Sequence, residues 1–260
     1  IPTMLDYQVH IAKESMANTP SSITRQFLLI HGSCHGAWCW RDVLPELIGL
    51  GHTARALDLP SHGDDKTPIA EVTLDLYRDA ILDAIDTPVV LAGHSMAGFP
   101  IAAAAEKAPR KIVRLIHLCS YAPVSGMSLI DMRKESPRQP LLDAIEKSAD
   151  GLSWAPIPEK ARKTFYHDCP DEAVAYAKAR IVPQAILPQA TALELGENYA
   201  RTAKSYIRCA NDQTIPPEYQ SDMAARFAPE DRYEMQTSHS PFFADPKGLA
   251  QMLDKIARAG

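Results

Sequence analysis

The sequence predicts an α/β protein, a mostly parallel central sheet flanked by helices, with one largely helical segment inserted into it. Three observations carry this. Short apolar runs alternate with stretches of helical periodicity through the first 122 residues, the order that gives a parallel sheet. Runs such as VVLA at 89–92 are apolar without alternation, which suits strands covered on both faces. The rhythm breaks after Pro123 and resumes near Ser205. The chain therefore divides into an N-terminal extension (1–26), a core (27–122 and 201–260) and an insertion (123–200).

The elements follow in order. FLLIH at 27–31 is a strand ending at Gly32, and Trp40, Val43, Leu44, Leu47 and Ile48 then repeat at helical spacing until Gly51 stops them. A strand at 52–59 precedes a helix at 73–86 with Leu76, Ala80, Ile81 and Ile85 on one face. A strand at 88–93, an Ala-rich helix after Ser95 and a strand at 111–120 continue the pattern. Within the insertion, helical patches at 141–149, 158–167 and 170–180 are separated by Pro-containing joints, with no clear strand. A strand at 205–209, a helix at 217–227, a strand at 233–236 and a last helix at 246–259 complete the core.

Lys plus Arg number 27 against 32 for Asp plus Glu, a net charge of −5. No cationic field is available to hold nucleic acid or an anionic lipid surface. No apolar run approaches the ~20 residues that span a bilayer, and the first 25 residues lack the apolar core of a secretory signal. A cytoplasmic location is the expectation. The five cysteines are an odd number without a CxxC pair, so they read as reduced thiols without a metal-ligand spacing. Neither a P-loop nor a dinucleotide fingerprint is present. The expectation is therefore no metal and no cofactor.

The chemistry concentrates at GHSMAG, 93–98, which lies between a strand and a small-residue helix. A serine on such a turn is held in a strained conformation above the sheet, and the residues two before and two after it must be small. Gly93 and Ala97 meet that need, although the usual pattern has glycine where Ala97 stands. Ser95 is the candidate nucleophile. A serine hydroxyl needs an imidazole to take its proton, and the imidazole needs a carboxylate to fix its tautomer. Of nine histidines, only His239 lies between the last strand and the last helix, where the order Ser, acid, His places the base. Asp212 follows the strand at 205–209 and is the candidate acid. Asp222 falls within a helix, Asp231 precedes a strand and Asp245 is placed as a helix N-cap. An oxyanion hole requires backbone donors, one of them from Met96, and the other from the loop after the first strand, 31–38. His31, Cys34 and His35 in that loop do not converge as a metal site, because a tight glycine-containing loop cannot point all three at one ion.

Together HGSCHGAWCW (31–40), GHSMAG (93–98), Asn211-Asp212 and His239 resemble the α/β-hydrolase superfamily. The resemblance is to its plant-type methylesterase and hydroxynitrile lyase branch, with related bacterial esterases, and covers about Phe27 to the C-terminus. The resemblance implies a Ser95, Asp212, His239 triad and an oxyanion hole from the Cys34 and Met96 N–H groups. It also implies a cap at 123–200 with Trp154, Phe165 and Tyr166 as candidate lining, and substrate contacts at Gly32 and Ser33. The lyases of this branch carry a threonine after the first loop histidine and a lysine after the catalytic one. Here these are Gly32, expected to leave room beside the oxyanion hole, and Ser240, which supplies no cation. Both departures favour a serine carboxylesterase acting on small, methyl or aromatic esters. A hydroxynitrile lyase and a non-catalytic small-molecule receptor on the same fold are the alternatives. The implied partner is a small ester, and a homodimer is compatible with the resemblance.

Overall fold

The structure, a computed structural model, describes residues 23–259, so the 1–26 extension falls outside the described residues up to residue 22. Among the described residues nine strands follow in chain order: β1 (Gln26–Ile30), β2 (Thr53–Leu57), β3 (Val89–His94), β4 (Ile112–Leu118), β5 (Ile145–Lys147), β6 (Ser153–Pro156), β7 (Gln184–Ala185), β8 (Lys204–Cys209) and β9 (Arg232–Met235). Six of them form one sheet in the order β2-β1-β3-β4-β8-β9. Every pairing in it is parallel. The expected core strands are all present, each within two residues of its expected ends.

Both faces of this sheet are buried. Leu28 and Ile30 of β1 and Leu91 of β3 enter one apolar cluster, whereas Phe27, Leu29, Val90 and Ala92 enter the other. Adjacent side chains point to opposite faces, so runs without polar alternation are what a doubly covered sheet demands.

The helices of the first half are α1 (Val43–Gly49), α2 (Leu74–Asp83) and α3 (Gly98–Lys107). Thr73 caps α2 by accepting the Leu76 N–H. Ala102, Ala103, Ala104 and Ala105 are buried in α3, where small side chains let the helix lie close to the sheet. Trp40 belongs to a separate 3-10 turn, Ala37–Trp40, ahead of α1.

Between β4 and β8 come α4 (Leu129–Glu135), α5 (Pro158–Phe165), α6 (Asp171–Lys178), α7 (Leu187–Ala190) and α8 (Glu197–Arg201). The expectation of no strand here is corrected: β5, β6 and β7 form a three-stranded antiparallel sheet. The helical patch expected at 141–149 is instead a 3-10 turn, Pro140–Ala144, followed by β5. These strands are too short to show a period-two pattern. Their one local signal is Asp150-Gly151, with Gly151 at φ 72° in the tight turn joining β5 to β6. The chain ends with α9 (Pro217–Ala224), α10 (Pro241–Ala244) and α11 (Pro246–Arg258).

The chain leaves β1 toward β2 and returns on the other side of β1 to make β3. Loops leaving the carboxyl ends of neighbouring strands diverge at such a reversal and open a crevice. The loop after β1 and the turn after β3 meet there.

Candidate active site

Ser95 stands at the end of β3 with φ 56°, a left-handed conformation that L residues adopt at a cost of order 1–3 kcal/mol. The turn is held from behind. A side chain at Gly98 would stand 1.8 Å from the Tyr121 carbonyl oxygen, and the Tyr121 N–H donates to the Ser95 carbonyl at 3.1 Å. The Ala97 methyl is fully buried and accepted, so the strict glycine requirement falls on Gly98.

His239 comes from the loop after β9, and Asp212 from the loop after β8. The Ser95 hydroxyl donates to His239 Nε2 at 2.9 Å, and His239 Nδ1 donates to Asp212 Oδ2 at 2.6 Å. All three side chains are buried. Asp212 is itself held by four donors. Its Oδ1 accepts the Thr214 and Ile215 N–H groups at 2.6 and 3.0 Å, and its Oδ2 accepts Gln220 Nε2 at 2.7 Å beside His239. A carboxylate fixed this way presents one lone pair to the imidazole and sets its tautomer, leaving Nε2 as the acceptor that faces Ser95. The competing acids have the structural places expected of them. Asp222 lies in α9, Asp231 binds Arg114 at 2.5 Å and Asp245 caps α11.

The two histidines of the loop after β1 bond to that loop. His31 Nε2 accepts the Leu59 N–H at 3.0 Å, so its Nδ1 carries the proton and donates to the Gly32 carbonyl at 2.8 Å. His35 Nδ1 donates to the Ser33 carbonyl at 2.7 Å, and its Nε2 accepts the Tyr166 hydroxyl at 2.6 Å. Burial drives the pKa of His31 well below its usual value and lowers that of His35 to about 4. Neutral imidazoles thus shape the loop. Cys34 is held at φ 65°, its carbonyl accepts the Val182 N–H at 3.1 Å, and its own N–H makes no hydrogen bond among the described residues. Met96 opens the turn after Ser95, where an N–H has no helical acceptor. Burial pushes the Cys34 thiol well above the usual range, so only the backbone of this residue is chemically available.

Gly32 does not leave room beside these donors, as the sequence led one to expect. A Cβ there would stand 2.7 Å from His94 Nδ1 and 2.8 Å from Ser95 Cβ. Glycine is needed because the chain passes directly against the serine. Neither Gly32 nor Tyr166 lines the cavity that holds Ser95, whereas Ser33, Trp154 and Phe165 do. Tyr166 is instead buried behind the loop against His35. Ser240 is fully buried outside that lining.

The cavity itself is narrow, about 20 Å³, room for roughly one water molecule. A larger open groove of about 710 Å³ runs behind Asp212 and includes neither Ser95 nor His239. Three residues, Gln189 and Arg133 in the cavity lining and Gln220 behind Asp212, carry roles the sequence did not reveal. Gln189 accepts the Trp154 indole N–H at 3.0 Å and donates to Ser33 Oγ at 2.8 Å. Gln220 steadies Asp212 from α9, and Arg133 lines the cavity from α4. Each is brought to its place only by the fold, so no local signal marks it.

His94 Nε2 donates to the His239 carbonyl at 2.7 Å. The ligand atoms of His94, Cys119 and His239 lie within 4.8 Å of one another. Both nitrogens of His239 are engaged by Asp212 and Ser95, and burial keeps the Cys119 thiol protonated. That donor set does not suit a metal ion.

A family model described as "Alpha/beta hydrolase family" matches residues 27–252. The chain belongs to the α/β-hydrolase family. Within it the chain falls in the plant methylesterase branch. Methylesterase 3 of Arabidopsis thaliana is 30% identical over 249 residues, covering 88% of this chain and 95% of its own. Methylesterase 1 of the same plant is 31% identical over 252 residues, covering 90% and 96%. Among solved α/β-hydrolase structures, a pyrethroid hydrolase from Sphingobium faniae superposes with a TM-score of 0.81 at 25% identity, covering 91% of this chain and 98% of its own.

Proposed function

We propose that this α/β-hydrolase is a carboxylic ester hydrolase that cleaves small esters, methyl or aromatic esters among them, through an acyl-enzyme on Ser95. The observation that carries the reading is the unbroken hydrogen-bond chain Ser95 Oγ, His239, Asp212. In this mechanism the Ser95 oxygen attacks the ester carbonyl as His239 Nε2 takes its proton. The oxyanion rests on the Cys34 and Met96 N–H groups, each donor lowering the barrier by roughly 3–4 kcal/mol. His239 then protonates the departing alcohol, and water repeats the cycle on the acyl-enzyme to release the acid. Residues 123–200 act as a cap whose Trp154 and Phe165 shape the acyl site.

The names of the relatives, methylesterases of Arabidopsis thaliana, support the ester class and a small alcohol. Among the described residues no helix is long and apolar enough to cross a membrane, in keeping with a substrate met in water. Hydrolysis of p-nitrophenyl butyrate by the wild type and by Ser95→Ala tests the reading. The expected loss in the variant is about 10³-fold or more, with an unchanged circular dichroism spectrum. Equal turnover by both proteins removes Ser95 from the mechanism.

A further inference from the structure

Among the described residues Arg133 is the one permanently charged side chain lining the cavity above Ser95, and no carboxylate lines it. The other basic side chains there are imidazoles: His239 of the relay, and His35 and His94, which burial holds neutral. Arg133 is half-buried, its Nε is sealed from solvent, and that Nε has no hydrogen-bond partner among the described residues. Among the described residues no ion pair satisfies it either. Its neighbours in the same inserted segment differ, since Arg138 pairs with Glu218 at 2.6 Å and Arg162 with Asp171 at 2.7 Å. A cation in the last turn of α4 also favours the helix dipole. That role needs only an exposed charge, which the adjacent Lys134 supplies, and it does not account for a buried N–H left without an acceptor.

A buried donor without a partner is destabilising, and more so when charged. A ligand that supplies the acceptor recovers that energy only when bound. The Nε edge of a guanidinium offers two parallel N–H groups spaced for the two oxygens of a carboxylate. We propose that Arg133 is the specificity residue of this site and that the ester it selects carries a second, ionised carboxylate: a monoester of a dicarboxylic acid. The inference rests on the ester-hydrolase reading and names its substrate class. Tyr121 lines the same cavity, and the Arg133 charge eases ionisation of its otherwise burial-suppressed phenol, which marks the reach of that charge into the cavity. Hydrolysis proceeds as above, with water adding to the acyl group and the alcohol leaving, while Arg133 holds the far carboxylate and takes no proton.

The test compares kcat/KM for monomethyl glutarate and for methyl pentanoate, its uncharged analogue, in the wild type, Arg133→Leu and Arg133→Lys. The wild type should favour the monoester at least tenfold. Arg133→Leu should reduce that ratio at least tenfold, and Arg133→Lys should fall between. In parallel, calorimetry measures monomethyl glutarate binding to Ser95→Ala and to Ser95→Ala with Arg133→Leu, the second expected to bind at least tenfold more weakly. Hydrolysis of both esters with a ratio that ignores Arg133, or equal binding by the two variants, overturns this inference and leaves the esterase reading standing. Arg133-dependent binding without hydrolysis of either ester supports the anion site and overturns the esterase reading.

Discussion

A methyl group added at Gly32 would press on His94 Nδ1 and on Ser95 Cβ at 2.7 and 2.8 Å, and both neighbours are buried and fixed. Gly32→Ala should therefore displace the serine from His239 and lower kcat for p-nitrophenyl butyrate at least tenfold, with a smaller effect on KM. An unchanged kcat would show that the turn yields without moving the nucleophile. The three residues of the hydrogen-bonded relay were legible because each is tied to a local pattern: a strained turn after a strand, a loop after a strand, a loop before the last helix. The reading of Gly32 as open space failed because the sequence names the absent side chain and not what occupies its place. Gln220, eight positions beyond Asp212, reaches the carboxylate by the path of α9, which no spacing rule anticipates.

At the level of elements, the parallel sheet was readable because its strands are long enough to be apolar throughout, and their carboxyl ends gather the four loops of the site. The inserted segment was not, since strands of two to four residues have no period and depend on their neighbours for pairing. Apolar side chains of that segment, Phe165, Tyr166 and Val174 among them, share a buried cluster with the core, and a polar link adds to this: Gln189 on α7 joins Trp154 of β6 to Ser33 in the loop after β1. Gln189→Ala strands a buried indole N–H and should destabilise the fold by about 1–3 kcal/mol. It should also raise KM several-fold, because Trp154 lines the cavity. Urea unfolding and steady-state kinetics measure the two effects. A variant with wild-type stability would place the anchoring of this segment elsewhere. The narrowness of the cavity gives these contacts a further consequence, for a substrate enters only as the side chains above Ser95 yield.

Across the whole molecule, buried imidazoles set a limit on acid stability. Burial lowers His35 to about 4 and His117 to about 3, and drives His31 and His94 well below their usual value. Below pH ~6.5 the unfolded chain binds protons that the folded chain refuses, so stability rises with pH through this window. The contribution is complete above pH ~6.5 and is lost toward pH 4, at about 1.4 kcal/mol per pH unit for each such histidine. Thermal melts should show a constant Tm from pH 7 to 8 and a steep fall below pH 6. A Tm that stays level to pH 4.5 would mean these rings find protons or water in the folded state.

The central claim is that Ser95, activated by His239, is the nucleophile. Its most direct test is covalent labelling with diethyl p-nitrophenyl phosphate, followed by intact and peptide mass measurement. Attack by the serine oxygen on phosphorus expels p-nitrophenolate and leaves the diethyl phosphoryl group on the protein. The account predicts one adduct, on Ser95, in the wild type and none in Ser95→Ala or His239→Ala. An adduct elsewhere, or labelling that survives loss of His239, would contradict it.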